Sequence, residues 1–283
     1  MTNSMGAAAI RLEPTAPPVM QRARGAGRIL VAGDDGRTRL RTLYQEGCAK
    51  LRLPNTHDGS VQAVLINTAG GLTGGDRIDW QAEAGAHARL VLTTQACERL
   101  YRSTGPDAVV ETRLTVGENA RIDWLPQETI LFSGSRLRRA LSVDLAPDAT
   151  FLAVESIILG REAMGEDARD AHLFDTWRIR VGGRLVHAEA NRIDGDTWSR
   201  DGLAALAGNR AFATILLIAP DAARRLDAVR ALLPAKSLSA ASAVAGRLVI
   251  RAAAPSGLAL RRIIAPILNQ LSGAGSLPRL WHL

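Results

Sequence analysis

The residues of this chain with the most chemical potential carry oxygen rather than sulfur or imidazole. Asp76 closes the stretch Asn67-Thr68-Ala69-Gly70-Gly71-Leu72-Thr73-Gly74-Gly75-Asp76-Arg77, in which two Gly-Gly pairs stand three residues apart. Glycine loses much backbone entropy on folding, so this density implies positive φ or close approach of another segment. Gln95 and Glu155 recur, with Gln127 and Glu128, near one position of an internal repeat of about 30 residues. If the repeats stack in register, Gln95 lies over Gln127, with Glu128 and Glu155 close to the same column. Facing solvent at the layer ends is the competing reading. Buried carboxamides and carboxylates are costly unless they bond to one another, to water or to a cation.

Other chemistries find little support. His57, His87, His172, His187 and His282 form no H-x-x-x-H pair, and Cys48 and Cys97 form no C-x-x-C. No preformed zinc or iron site is therefore visible. Glu166, Asp167, Asp170 and His172 lie close in sequence, yet an acidic solvated loop explains them better than an ion site. Ser133-Gly134-Ser135 lacks the G-x-S-x-G frame of a nucleophile elbow. The Gly-Gly pairs lead into a strand, with neither a Lys-Ser/Thr pair nor a spaced G-x-G-x-x-G, so they do not make a phosphate loop. Nothing in the sequence brings Asp76 and Glu155 together as acid and base. We read a protein that is not an enzyme and holds no cofactor tightly.

The 283 residues carry a formal charge of +7, 47% hydrophobic residues and only 4% aromatics. A core of this chain must rest on Val, Ile, Leu and Ala. The basic residues are mostly Arg, interleaved with acids, which fits a solvated surface better than a nucleic-acid footprint. A basic nucleic-acid-binding module remains the alternative. A carbohydrate-active β-solenoid is a second, though the aromatic content argues against it. Two cysteines are too few for a disulfide framework. No stretch reads as a signal peptide or membrane span, which places the chain in the cytoplasm.

Residues 1–24 are rich in Ala and Pro and read as a disordered arm, leaving residues 25–283 as a single domain. Order should begin near Arg28, with Asp34-Asp35-Gly36 as a hairpin turn into Leu40–Tyr44. Val61–Ile66 reads as a buried strand and Ile78–Glu83 as an alternating one. Gly85-Ala86-His87-Ala88-Arg89-Leu90 aligns with Gly117-Glu118-Asn119-Ala120-Arg121-Ile122, 32 positions on (117 − 85), and Pro147-Asp148-Ala149-Thr150 follows 30 later (147 − 117). Each is a polar turn followed by a strand. Stacked solenoid-like layers or an ordinary β-sandwich would give this pattern. Strands at Asp175–Val181 and Arg184–Ile193 follow, separated by Gly182-Gly183, and another near Gly246–Ala252. Two helices are expected at 221–233 and 256–271, the first capped by Asp221 and the second kinked or begun by Pro266. The fold class is mostly β.

The Gly-rich stretch closely resembles the signature of the urease accessory protein D family (UreD, also called UreH). Asn67, Thr68, Gly70, Gly71, Gly74, Gly75, Asp76 and Arg77 carry it. Thr93-Thr94-Gln95-Ala96, Leu100-Tyr101-Arg102-Ser103, Trp124–Ile130, Ser133-Gly134-Ser135, Glu155-Ser156, Leu159-Gly160-Arg161, Ala163–Glu166 and Leu277–Trp281 follow in the family's order. The resemblance runs from about Arg28 to the C-terminus and favours the stacked, β-helix-like form. It implies a non-catalytic subunit that joins accessory proteins F and G on apo-urease and supports GTP-dependent nickel insertion. A dimeric arrangement within that complex, with Leu280 and Trp281 facing a partner, belongs to the same expectation. Nickel passing through such a protein needs ligands that hold it weakly, and oxygens do so better than thiolates or imidazoles. Asp76, Gln95 and Glu155 are the expected transit ligands.

Overall fold

The computed structural model describes residues 21–195, 201–202, 205–273 and 277–282. Residues 1–20 of the expected N-terminal arm lie outside that set. Chain order starts earlier than Arg28: β1 (Arg24–Asp34) turns through Asp35-Gly36 into β2 (Arg37–Gly47). Asp35 and Gly36 both take positive φ, 47° and 75°, as a two-residue hairpin turn of this hand requires.

After β3 (Ala49–Arg52) the chain winds as a coil that alternates between two sheets. One sheet receives β4 (Val61–Asn67), β6 (Arg89–Thr94), β9 (Arg121–Leu125) and β12 (Thr150–Leu159). The other receives β5 (Arg77–Ala84), β8 (Ala108–Val116), β11 (Arg136–Leu145) and β13 (His172–Val181), while the short β7 (Glu98–Leu100) and β10 (Thr129–Leu131) pair in parallel at one corner. Successive strands within each sheet are parallel and in register. Leu92 sits beside Trp124 and Trp124 beside Ala153, offsets of 32 and 29 residues (124 − 92, 153 − 124). Parallel pairing at one coil's spacing identifies a solenoid. A sandwich would pair its strands antiparallel through hairpins.

The repeated polar turns are the corners of the coil. His87 N–H donates to Glu118 O, Arg121 N–H to Ala88 O and Thr150 N–H to Ala120 O, so each turn rests on the one before. Ala88, Ala120 and Ala149 point inward and are buried. Antiparallel strands close the far end: β14 (Arg184–Asp194) on the seven-stranded sheet, and β15 (Ala211–Ile218), β17 (Arg247–Ala254) and β16 (Leu238–Val244) on the other.

The seven-stranded sheet alternates buried and exposed residues because only one face is covered. β12 is buried almost throughout, with the other sheet on one side and helices on the other. The first helical segment is a 3-10 turn, Ala222–Arg225, continuing into α1 (Leu226–Leu232). Asp221 does not cap it through its side chain; its carboxylate takes the Arg225 Nε–H at 3.0 Å. The second, α2 (Gly257–Leu271), is capped by Ser256 and buries Leu260, Ile264, Ile267, Leu268 and Leu271. It continues through Pro266, whose missing N–H leaves one helical acceptor unpaired by the backbone. No helix among the described residues is long and apolar enough to cross a membrane.

Candidate functional site

The motifs scattered along the sequence converge on one corner of the solenoid. Leu72 N–H donates to Arg99 O and Tyr101 N–H returns to Leu72 O. Ser103 N–H donates to Gly134 O, and Gly160 N–H to Leu131 O. The acidic loop completes the stack from below. Glu166 accepts the Ser133 N–H at 2.8 Å and pairs with Arg161, while Asp170 accepts the Gly134 N–H at 2.9 Å. Asp167 pairs with Arg169, and His172 lies 3.3 Å from Asp194. These acids hold backbone amides and arginines. Among the described residues, no group of three or more His, Cys, Asp or Glu is placed to hold a metal ion.

Close approach explains two of the signature glycines. A Cβ on Gly71 would sit 2.4 Å from the Tyr101 ring, and one on Gly74 would sit 1.9 Å from Ser103 Oγ. Asp76 is buried; its Oδ1 accepts the Ala23 N–H and its Oδ2 the Thr73 N–H, each at 2.8 Å. It fastens β1 to the turn and is absent from the walls of the two neighbouring cavities. The Arg77 guanidinium pairs with Asp79 and Glu111.

Those cavities lie behind the turn. The outer one, about 260 Å³, is lined by Asn67, Gly70, Gly71, Gln95, Cys97 and Glu98 among others. The inner one, about 60 Å³, includes Gln127, Arg139 and Glu155. Trp80, Thr94 and Glu98 belong to both walls. Glu98 accepts the Asn67 Nδ2–H at 3.1 Å, and burial, aided by the charge of Asp76, pushes its carboxyl up to about 7 despite that bond.

Glu155 occupies the inner end. Its Oε1 accepts the Trp124 indole N–H at 2.9 Å, and its Oε2 stands 2.6 Å from Arg139 Nη1. Burial raises the Glu155 carboxyl and Arg139 draws it back, with a net upward direction. On the neighbouring strand Thr214 faces Glu155, and its hydroxyl donates to Glu189 Oε1 at 3.0 Å. Glu189 also receives Arg251 at 2.9 Å, with His187 Nε2 3.4 Å from its other oxygen. Burial alone would raise this carboxyl, but those partners hold it below its ordinary value. Thr214 and Arg251 line a groove of about 520 Å³ between the far ends of the two sheets. Polar side chains thus succeed one another through an otherwise apolar interior, from Gln95 to that groove.

The expected in-register column is not what the structure contains. Gln95 is exposed at the mouth, whereas Gln127 and Glu128 both grip Arg261 of α2, at 2.7 and 2.9 Å. β9 ends at Leu125, and the irregular Pro126–Glu128 segment interrupts the alternation that would have kept the column aligned. Glu128 also accepts from Cys97 Sγ at 3.3 Å; burial and that carboxylate push the thiol up to about 11. Arg261 lies 4.7 Å from the Trp281 ring centroid, and the Trp281 indole donates to Leu125 O at 3.0 Å. Trp281 is therefore packed within its own chain, while Leu280 is 39% exposed. Glu98, Arg139 and Glu189 were missed by sequence reasoning, since each sits singly on a strand. Inward register among polar neighbours was the only signal, and it needs the pairing to be known.

Fold and site together define a two-sheet parallel β-solenoid whose interior carries buried polar side chains between two small cavities and a groove. The family model for the UreD urease accessory protein matches residues 23–282. The chain is 62% identical over 271 residues to the urease accessory protein UreD of Chelativorans sp. (strain BNC1), covering 96% of this chain and 98% of that one. It is 50% identical over 270 residues to the UreD of Rhizobium leguminosarum bv. viciae, covering 93% and 96%. Against the UreD of Agrobacterium fabrum the identity is 47% over 268 residues, covering 94% of each. The chain belongs to the UreD urease accessory protein family, and it is not an enzyme.

Proposed function

We propose that this chain acts in the cytoplasm within a complex of urease accessory proteins F and G bound to apo-urease, and that nickel on its way to the urease active site crosses its interior. GTP hydrolysis in this scheme belongs to protein G. The observation that carries the reading is the succession of oxygen-bearing side chains from Gln95 through Glu98 and Glu155 to Glu189. Oxygen donors bind a divalent ion more loosely than a thiolate or imidazole cage would, as a cargo in transit requires. Gln95 would meet the hydrated ion at the mouth and Glu155 would lower its barrier in the interior. Asp76 serves the route by holding the turn that shapes the mouth.

The test uses the full-length chain co-expressed with F, G and urease. Glu155→Gln should leave the complex with F intact on gel filtration and lower the nickel content of the urease recovered. Urease with its full complement of nickel from that strain would overturn the transit reading.

A further inference from the structure

We infer that Arg139 is a built-in counter-cation that keeps the passage from trapping its cargo. The inference rests on the transit reading above and assigns a task to a residue which that reading leaves unused. Arg139, Glu155 and Asp175 are all buried, and one guanidinium stands between two carboxylates.

The guanidinium is gripped unevenly. Asp175 takes Nε at 3.1 Å and Nη2 at 2.8 Å, a two-point fork that fixes the plane of the group. Nη1 is the remaining arm. It reaches Glu155 Oε2 at 2.6 Å and donates to Thr129 Oγ1 at 3.1 Å. Glu155 can therefore exchange partners without unseating Arg139 from Asp175. A second feature marks the space beside it. Gln127 is buried on the wall of the same cavity, and its Nε2 has no partner among the described residues. That N–H group can donate to a water in the cavity, so the space beside Arg139 suits a polar occupant.

Two buried carboxylates with no cation between them would form a strong divalent site, because attraction grows as the surroundings exclude water. Arg139 cancels one of those two charges and competes for the oxygen that an incoming ion would use. The ion can be met by Glu155, yet Arg139 remains poised to retake Glu155 and release it. Positive charge here speeds exit rather than blocking passage.

The test compares nickel held by the full-length chain, co-purified with protein F and dialysed after exposure to nickel chloride. Arg139→Gln should retain nickel on the order of one ion per chain, given carboxylates freed for a divalent cation, while the natural sequence retains several-fold less. Added nickel should raise the melting temperature of the variant and leave the natural protein unmoved, and delivery to urease should fall. A folded Arg139→Gln that retains no more nickel and shows no thermal shift overturns the inference. Should that variant fail to fold, Arg139→Gln with Asp175→Asn removes one charge of each sign. More retained nickel than the natural sequence then supports the inference, and equal nickel overturns it. Glu155→Gln separates the two levels: normal delivery in that variant sinks the transit reading and this inference together. Blocked delivery in Glu155→Gln, with an inert Arg139→Gln, sinks only the role of Arg139.

Discussion

Trp124 and Glu155 stand one coil apart, and the indole N–H donates to the carboxylate across that step at 2.9 Å. The bond links a β9 residue to a β12 residue inside the solenoid, where neither group has bulk water to fall back on. Trp124→Phe keeps the ring and removes the donor. It should cost roughly 1–3 kcal/mol, the penalty for stranding a buried acceptor. Urea unfolding of the two proteins measures it, and an unchanged midpoint would show that Arg139 alone satisfies Glu155.

Asp76 should behave as a fastener. Its two oxygens hold the Ala23 and Thr73 amides, so Asp76→Ala leaves two N–H groups without their acceptor. We expect a loss of roughly 2–4 kcal/mol, about one buried hydrogen bond's penalty for each amide. Urease maturation in cells should fall in step with the amount of folded protein. A variant as stable as the natural chain, yet inactive in maturation, would point to a direct contact with nickel instead.

Stability should respond to pH through Glu98. Its folded-state pKa of about 7 lies above the ordinary 4.5, so between those values the folded protein keeps a proton that the unfolded chain has released. The folded state binds more protons in that window, so stability present below it declines as pH rises through about 7. The loss is on the order of 3 kcal/mol, from the free-energy equivalent of the pKa shift. Glu98→Gln should remove this part of the slope. Melting curves across pH 4.5 to 8, taken as the difference between variant and natural protein, read it directly, with the pH window set by the shift. A flat difference would mean that Glu98 is solvated.

The C-terminal segment needs two variants because its residues do different things. Trp281 is buried between Arg261 and Leu125, so Trp281→Ala should cost about 3–5 kcal/mol and disturb the grip of Arg261 on Gln127 and Glu128. Leu280 is partly exposed. Leu280→Ala should leave the melting temperature within a degree or so, as surface substitutions do, and lower affinity for protein F if this end faces that partner. Equal affinity on surface plasmon resonance would move the F interface elsewhere. Removing residues 277–283 altogether confuses the two effects.

Glycines in the signature turn and in the first hairpin should differ in cost. Gly36 needs positive φ but has open space around a Cβ, so Gly36→Ala should cost about 1 kcal/mol. At Gly74 a Cβ would collide with Ser103 Oγ and the Pro106 carbonyl, at 1.9 and 2.3 Å. Gly74→Ala must push two segments apart and should cost about 1–3 kcal/mol or more, as overpacking does. Comparable thermal melts for the two variants would show that the turn yields easily.

The sequence alone determined what is local. Alternation in Ile78–Glu83 marked a strand with one covered face, Asp34-Asp35-Gly36 marked a hairpin, and Ser256 with the spacing of Leu260, Ile264 and Leu271 marked α2 and its inward side. These features depend on neighbours a few positions away, and their periods of 2 and 3.6 are written in the residues themselves. The order of motifs was equally legible and carried the family. Which strands pair was decided only in three dimensions, because a repeat near 30 residues serves a sandwich as well as a solenoid until parallel register is seen. The same holds for the interior polar chain. Glu98 and Asn67 are 31 positions apart, and Arg139 and Asp175 are 36 apart; their bonds exist because coils stack. Asp76 and Trp281 changed meaning for the same reason. A carboxylate beside glycines and a tryptophan near a chain end read as exposed functional groups. Their partners, the Ala23 amide and the Leu125 carbonyl, come from segments 53 and 156 positions away along the chain. Local chemistry sets what a side chain can do, and the stacking of coils sets what it meets.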